Sequence, residues 1–178
     1  MAQRVFLAIR TLLYASGFFL VLAWLLPAFL NISSSPAAPS QSPWRTLGIL
    51  PLLIGLAIIL WCVTNFVVEG KGTPAPFDPP RRLVVTGPYC YMRNPMYVGG
   101  LLFLIGYAVL FVEFSITLLW YAVALIVAVN IFILAYEEPI LKRKFGGDYE
   151  KYCRNVHRWM PRLHPWHPQS EQAVRAGT

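Results

Sequence analysis

The chain has 178 residues, of which 57% are hydrophobic and only 13% are charged. Because soluble domains carry about a quarter of their residues as charged side chains, this balance predicts a protein embedded in a lipid bilayer. The formal net charge of +7 fits cytoplasmic loops and anionic lipid headgroups better than nucleic acid, since the sequence has no recognition helix or zinc motif. We therefore expect an all-α integral membrane protein that does not bind nucleic acid.

Four apolar runs are candidate membrane spans, at about residues 5–30, 47–68, 96–112 and 114–136. Together they predict a single domain of four transmembrane helices that covers residues 1–168. A removed secretory signal is a lesser alternative for the first run, which is longer than the roughly 7–15 apolar residues of such signals.

A stretch with helical periodicity follows the last span, at about residues 140–157. Four of its residues fall on one helical face: Tyr149, Tyr152, Cys153 and Val156. Asp148 is a suitable N-cap for this face. The pattern predicts a C-terminal cytosolic amphipathic helix that either lies on the membrane or folds back over the ends of the spans. We expect residues 169–178 to be disordered.

The distribution of basic residues predicts the orientation. When the four spans are threaded in order, fourteen of the fifteen Lys and Arg residues fall on one side, and Arg45 alone falls on the other. Because basic residues collect in cytoplasmic loops, both termini and both ends of the hairpin formed by the last two spans are predicted to be cytoplasmic.

Two polar clusters bracket that hairpin. The first runs from Arg93-Asn94-Pro95-Met96-Tyr97 to Gly99-Gly100, and the second is Tyr136-Glu137-Glu138-Pro139. A guanidinium beside the free N–H groups of a helix start attracts an anion. Carboxylates at a helix end are disfavoured by the helix dipole and need a cationic partner. At one membrane face, the two clusters together predict a site for a zwitterion.

A simpler interpretation exists for each cluster taken alone. Carboxylates at the end of a span can merely reach for water, and an arginine before a span can be a cytoplasmic anchor. Asn94 is an acceptable helix cap, and Gly99-Gly100 can serve helix packing. A metal site is not predicted, because His157, His164 and His167 lie on a Pro-interrupted tail without further ligands.

These motifs resemble those of the integral-membrane methyltransferases, which comprise phospholipid N-methyltransferases and isoprenylcysteine carboxyl methyltransferases. The Asn-Pro-Met-Tyr and Tyr-Glu-Glu-Pro strings are closest to the phospholipid enzymes, and the tail from Phe145 to Pro161 is more like the isoprenylcysteine branch. The resemblance covers about residues 69–162. It implies S-adenosylmethionine held at the cytosolic ends of the last spans, without a Rossmann domain, and a lipophilic acceptor from the bilayer. One departure is Cys90, where related proteins often have Arg.

The resemblance and the charges together predict these cofactor-binding residues: Tyr89, Arg93, Asn94, Pro95, Tyr97, Gly99, Gly100, Glu137 and Glu138. The cofactor carboxylate would meet Arg93 and the helix start, and its ammonium would meet one of the two glutamates. Its sulfonium would stack on Tyr97 or Tyr89 by cation–π attraction. Because in-line methyl transfer is accelerated by positioning and desolvation, no protein nucleophile is expected and no catalytic residue is assigned.

Three alternatives stay open from the sequence. The acceptor is either a phospholipid headgroup amine or an isoprenylcysteine carboxylate. The protein could instead be a membrane reductase of the sterol-reductase type that uses NADPH, although such an enzyme needs more spans and a larger polar pocket. Finally, it could be a non-catalytic membrane protein in which Arg93 and the adjacent glutamates form a structural ion pair.

Overall fold

The computed structural model describes residues 43–70, 82–111 and 116–167, and all regular structure in these ranges is helical. The predicted first span at residues 5–30 and the predicted disordered tail at 169–178 lie outside the described residues. Two of the described helices are long and apolar enough to cross a membrane, Pro43–Val68 and Leu119–Phe145. The count of four spans therefore stays a prediction.

The first long helix begins with a 3-10 segment, Pro43–Gly48, continues as α1, Ile49–Asn65, and ends in a π-helical turn, Phe66–Gly70. Helix α2 spans Pro95–Phe111, within one residue of the predicted third span at each end. It is shorter than the other two apolar helices, as its sequence predicts.

Helix α3, Ile116–Phe132, passes through a π-helical turn, Ile133–Glu137, into α4, Glu138–Phe145. The backbone N–H of Glu138 bonds to the carbonyl of Ile133, five residues back. In a regular α-helix Pro139 would clash with the carbonyl four residues before it. The wider turn occurs just ahead of this proline, and the helix continues past the predicted end of the fourth span at residue 136.

The single helix predicted at 140–157 is wrong in the structure, because α4 ends at Phe145 and a separate helix, α5, spans Gly147–Asn155. Gly146 separates them with φ +52° and ψ −126°, a conformation that side chains with a Cβ rarely adopt. Asp148 lies in the first turn of α5 without a side-chain capping bond, so the predicted N-cap is also wrong.

Helices α1 and α2 pack as an antiparallel pair through glycines. A Cβ atom added at Gly55 would lie 2.5 Å from the carbonyl oxygen of Gly99, and one added at Gly48 would lie 2.7 Å from that of Gly106. Gly48, in the 3-10 segment before α1, is seven residues from Gly55, and Gly99 is seven residues from Gly106, so both pairs fall on one contact line. Small residues let the two backbones approach closely, as is common where helices pack inside a membrane.

The apolar face of α5 packs against protein. Tyr149, Tyr152 and Val156 are buried with Trp166, and partly buried side chains of the loop before α2, including Leu83 and Val85, pack on them. The apolar face is therefore covered by protein, whereas its position relative to the membrane and to the ends of the spans stays a prediction. Helix α5 is thereby held beside the start of α2.

Candidate functional site

The two predicted polar clusters meet in the structure. Arg93 and Asn94 lie directly before α2, and Glu137 and Glu138 lie where the π-helical turn passes into α4. The Arg93 Nη1 atom is 3.2 Å from Glu138 Oε1, and the Tyr97 hydroxyl donates to Glu137 Oε2 at 2.8 Å. The start of α2 and the junction between the π-helical turn and α4 therefore share one polar region.

Glu138 is held between two guanidinium groups. Besides Arg93, it binds Arg158, whose Nε donates to Oε1 at 2.8 Å and whose Nη2 donates to Oε2 at 3.0 Å. Such two-point contacts are the strong form of the arginine–carboxylate pair. The bond to Glu138 raises the pKa of Arg158 above its already high ordinary value. Both carboxylate oxygens of Glu138 are thus engaged by the protein.

No local feature of the sequence indicates this role for Arg158. It lies twenty residues beyond Glu138, among several basic residues of the tail, and nothing in its immediate sequence sets it apart. Only the folding of α5 back towards α2 brings it to the carboxylate.

Glu137 has a different environment. Tyr97 bonds to one of its oxygens, and no Lys or Arg of the described residues forms an ion pair with it. Its side chain is partly buried. Burial of a carboxylate without a cation is costly, so this position favours a cationic group from outside the described residues.

Two unpaired donors lie at the start of α2. The Arg93 Nε and Asn94 Nδ2 atoms are buried and have no hydrogen-bond partner in the described part of the chain, and Asn94 is only 8% exposed. Pro95, which has no N–H, occupies the first position of the helix. Buried donors usually have partners in folded proteins, so a water or an anion from outside the described residues would satisfy these two.

Arg93 is fixed by further contacts that sequence reasoning missed. Its Nη1 atom lies 2.8 Å from Cys153 Sγ, and its backbone N–H donates to the carbonyl of His157 at 2.9 Å. Both partners follow α4 in the chain. The guanidinium is therefore oriented by residues of the C-terminal part of the protein.

Tyr89 lies in a core cluster beside this region, within electrostatic reach of Glu137. It is 8% exposed, packs edge-on against Phe66 with 5.4 Å between ring centroids, and belongs to a core cluster that includes Cys62. Its carbonyl accepts a hydrogen bond from the Tyr152 hydroxyl at 2.7 Å. Because its ring packs on protein neighbours, we leave Tyr89 out of the proposed site.

Gly99 is placed by packing. A Cβ at Gly99 would lie 3.0 Å from the carbonyl of Gly55, so this glycine serves the contact between α1 and α2. Gly100 is buried in the same helix. The packing interpretation accounts for Gly99, and the cofactor-binding role of Gly100 stays a prediction.

Cys90, the departure noted above, is buried at 2% exposure and its thiol lies 3.1 Å from the carbonyl of Val85. Burial raises the pKa of this thiol. Among the described residues, no group of three or more His, Cys, Asp or Glu side chains could hold a metal ion.

Comparison with known proteins identifies a family. A family model described as phospholipid methyltransferase matches residues 44–148, more than half of the chain. The chain is also 26% identical over 133 residues to the nickel-cobalt-cadmium resistance protein NccN of Alcaligenes xylosoxydans xylosoxydans. This match covers 75% of the chain and 57% of NccN, so the chain spans little more than half the length of that relative. No solved structure matches the chain.

Proposed function

Since the chain belongs to the phospholipid methyltransferase family, we propose that it transfers a methyl group from S-adenosylmethionine to a lipophilic acceptor in the membrane. The acceptor is a phospholipid headgroup amine or an isoprenylcysteine carboxylate. The observation that supports this proposal most directly is that donors suited to an anion and a carboxylate suited to a cation lie at one site. Within the described residues, unpaired donors lie at the start of α2, and Glu137, a carboxylate without a cationic partner there, lies at the end of the π-helical turn.

The residues fit the amino-acid end of S-adenosylmethionine, which carries one carboxylate and one ammonium group. Arg93 Nε and Asn94 Nδ2 would hold the carboxylate, because both are buried donors without a partner among the described residues. Glu137 would hold the ammonium. The adjacent Glu138 is unsuited to this role, since two arginines engage its oxygens.

When bound, S-adenosylmethionine supplies a methyl group on a positively charged sulfur. The residues described above bind and orient it. Tyr97 holds Glu137 in one orientation through its hydroxyl, and Arg93 is fixed by its contacts to Glu138 and Cys153. Such prior orientation is the main contribution that a protein makes to an in-line displacement. An amine acceptor would also have to lose a proton.

The ion pair between Arg93 and Glu138 also favours a second candidate, a non-catalytic membrane protein that uses this pair for stability. That interpretation explains Glu138 without a ligand. It leaves Glu137 without a cation and two buried donors unpaired within the described residues. We therefore prefer the methyltransferase.

Calorimetry on the purified protein in detergent tests the proposal, with S-adenosylhomocysteine and NADPH as separate probes. We expect S-adenosylhomocysteine to bind. We expect Glu137→Gln to weaken that binding by roughly tenfold or more, since charge-assisted bonds contribute about 1.5–3 kcal/mol. Glu150→Gln is the matched control, because Glu150 of α5 pairs with the exposed Lys142 of α4. Binding of NADPH alone, or of neither probe, would contradict the proposal.

The acceptor needs a separate experiment. Membranes containing the protein are incubated with methyl-labelled S-adenosylmethionine, and label is counted in extracted phospholipid and in an added prenylcysteine analogue. Label in lipid assigns a headgroup amine, and label in the analogue assigns the carboxylate. If neither the lipid nor the analogue is labelled, both proposed acceptors are excluded.

A further inference from the structure

The C-terminal strap, which we define as residues 156–166, lies outside the region matched by the family model, which ends at residue 148. The strap runs beside the loop that leads into α2. Three backbone bonds join them: Arg93 N to His157 O at 2.9 Å, Arg162 N to Tyr91 O at 2.9 Å, and Trp166 N to Cys90 O at 3.0 Å. The residue numbers rise in one segment as they fall in the other, so the two segments are antiparallel.

The strap is also fixed at its ends and towards α3. Val156 and Trp166 are buried at 1% and 6% exposure. The Trp159 indole N–H donates to the side-chain oxygen of Asn130 in α3 at 3.2 Å. The guanidinium of Arg162 bonds to the carbonyl of Asn155. These contacts hold the strap against the helix ends that form the candidate site.

Arg158 is the strap residue that reaches into the ion network. Its two bonds to Glu138 are shorter than the single contact between Glu138 and Arg93. One carboxylate thus stands between two guanidinium groups, and this trio carries one net positive charge. That excess favours an anion beside Arg93, whose Nε is buried and unpaired among the described residues.

We propose that Arg158 is a positioning residue that prepares the site for its zwitterionic ligand, an inference that rests on the proposed function. By holding Glu138 at two points, Arg158 keeps this carboxylate from the ligand's ammonium and from further pairing with Arg93. Arg93 then keeps a donor for the ligand's carboxylate, and Glu137 is left as the acceptor for its ammonium. Residues outside the family-matched region therefore complete the site.

The test measures the dissociation constant of S-adenosylhomocysteine by calorimetry, together with the melting temperature of each variant. We expect Arg158→Gln to weaken binding roughly tenfold, because it removes two charge-assisted bonds and leaves Glu138 with Arg93 alone. Arg158→Lys should restore part of the affinity, since it keeps the charge but loses the two-point geometry. The control is Arg154→Gln, on the exposed side of α5, which should bind as the unchanged protein does.

A double variant separates positioning from general stability. In the Glu138→Gln background, Arg158→Gln should cause little further loss of affinity, because the carboxylate that Arg158 holds is already gone. If Arg158→Gln lowers the melting temperature but leaves the dissociation constant unchanged, Arg158 is merely structural and the inference is overturned. If Arg158→Gln does not fold, Arg158→Lys decides instead, and full affinity in that folded variant overturns the inference. Failure of the unchanged protein to bind S-adenosylhomocysteine rejects the proposed function as well.

Discussion

At the scale of single residues, the adjacent glutamates have opposite environments. Glu138 is held by Arg93 and Arg158, whereas Glu137 bonds to a tyrosine hydroxyl and to no cation among the described residues. On a helix, neighbouring side chains point about 100° apart, since a turn has 3.6 residues. The two side chains have different neighbours because they point in different directions. Glu138 therefore has a structural role, whereas Glu137 has a proposed role in ligand binding.

Tyr97→Phe tests the orientation of Glu137. The change removes the hydroxyl that donates at 2.8 Å and leaves the ring in place. We expect S-adenosylhomocysteine to bind roughly three- to tenfold more weakly, the equivalent of one hydrogen bond of about 1 kcal/mol. Calorimetry measures the loss. In a Glu137→Gln background the same change should have almost no further effect, and a full additional loss there would show that Tyr97 acts independently of Glu137.

Cys90 gives a pH prediction. Burial raises the pKa of its thiol above the ordinary value of 9.0. The unfolded thiol therefore ionises first, so the contribution of Cys90 to stability is complete below about pH 9 and is lost as the pH rises further. We expect Cys90→Ser to reduce the fall in melting temperature between pH 8 and pH 10, measured by thermal unfolding in detergent. An equal fall in both proteins would contradict this assignment.

At the scale of elements, glycines determine how closely α1 and α2 approach. Gly55 and Gly99 meet at one point of contact, and Gly48 and Gly106 meet at another. The positions closest to a Cβ added at Gly55 are backbone atoms of α2, which cannot rotate away as a side chain can. The distance between α1 and α2 is thus set by the absence of side chains at these glycines.

Gly55→Ala should therefore destabilise the protein by roughly 1–3 kcal/mol, the usual cost of adding atoms to a packed contact. Thermal unfolding in detergent measures the change. Gly147→Ala is the matched control, because a Cβ there meets nothing within 4 Å. We expect the control to unfold at nearly the temperature of the unchanged protein. Equal stability of both variants would mean that the contact between α1 and α2 relaxes freely.

At the scale of the whole molecule, family membership and two helices of membrane-spanning length and composition indicate a membrane protein. Many large apolar side chains of the long helices are exposed, as for Leu47, Leu50 and Trp120. Exposed apolar surface on this scale suits lipid contact. The orientation in the membrane remains the prediction drawn from the basic residues.

Cysteine accessibility tests that orientation. Leu163 is 93% exposed on the strap, and Pro43 is exposed at the opposite end of the α1–α2 pair. A membrane-impermeant maleimide should label Leu163→Cys in inside-out vesicles and Pro43→Cys in intact cells. The unchanged protein supplies the background, because Cys62 and Cys90 are buried and Cys153 is partly buried. Labelling of Leu163→Cys in intact cells would reverse the predicted topology.

The sequence by itself determined the helical class, the approximate positions of the described apolar helices and the two polar clusters. Composition and periodicity carry this information, because an apolar run long enough to span a bilayer has to satisfy its backbone groups within a helix. Local sequence also identified Arg93, Tyr97, Glu137 and Glu138 as residues of interest. It placed the bounds of α2 to within one residue.

Only the tertiary structure decided which partner each of these side chains has. The break at Gly146 divides the expected amphipathic helix, and the strap then returns Arg158 to Glu138 across twenty residues. Tyr89 and Gly99 have the residue types of a binding site, yet their neighbours place them in packing contacts. Such pairings depend on how segments that are far apart in the sequence meet, and a local sequence pattern does not contain that information.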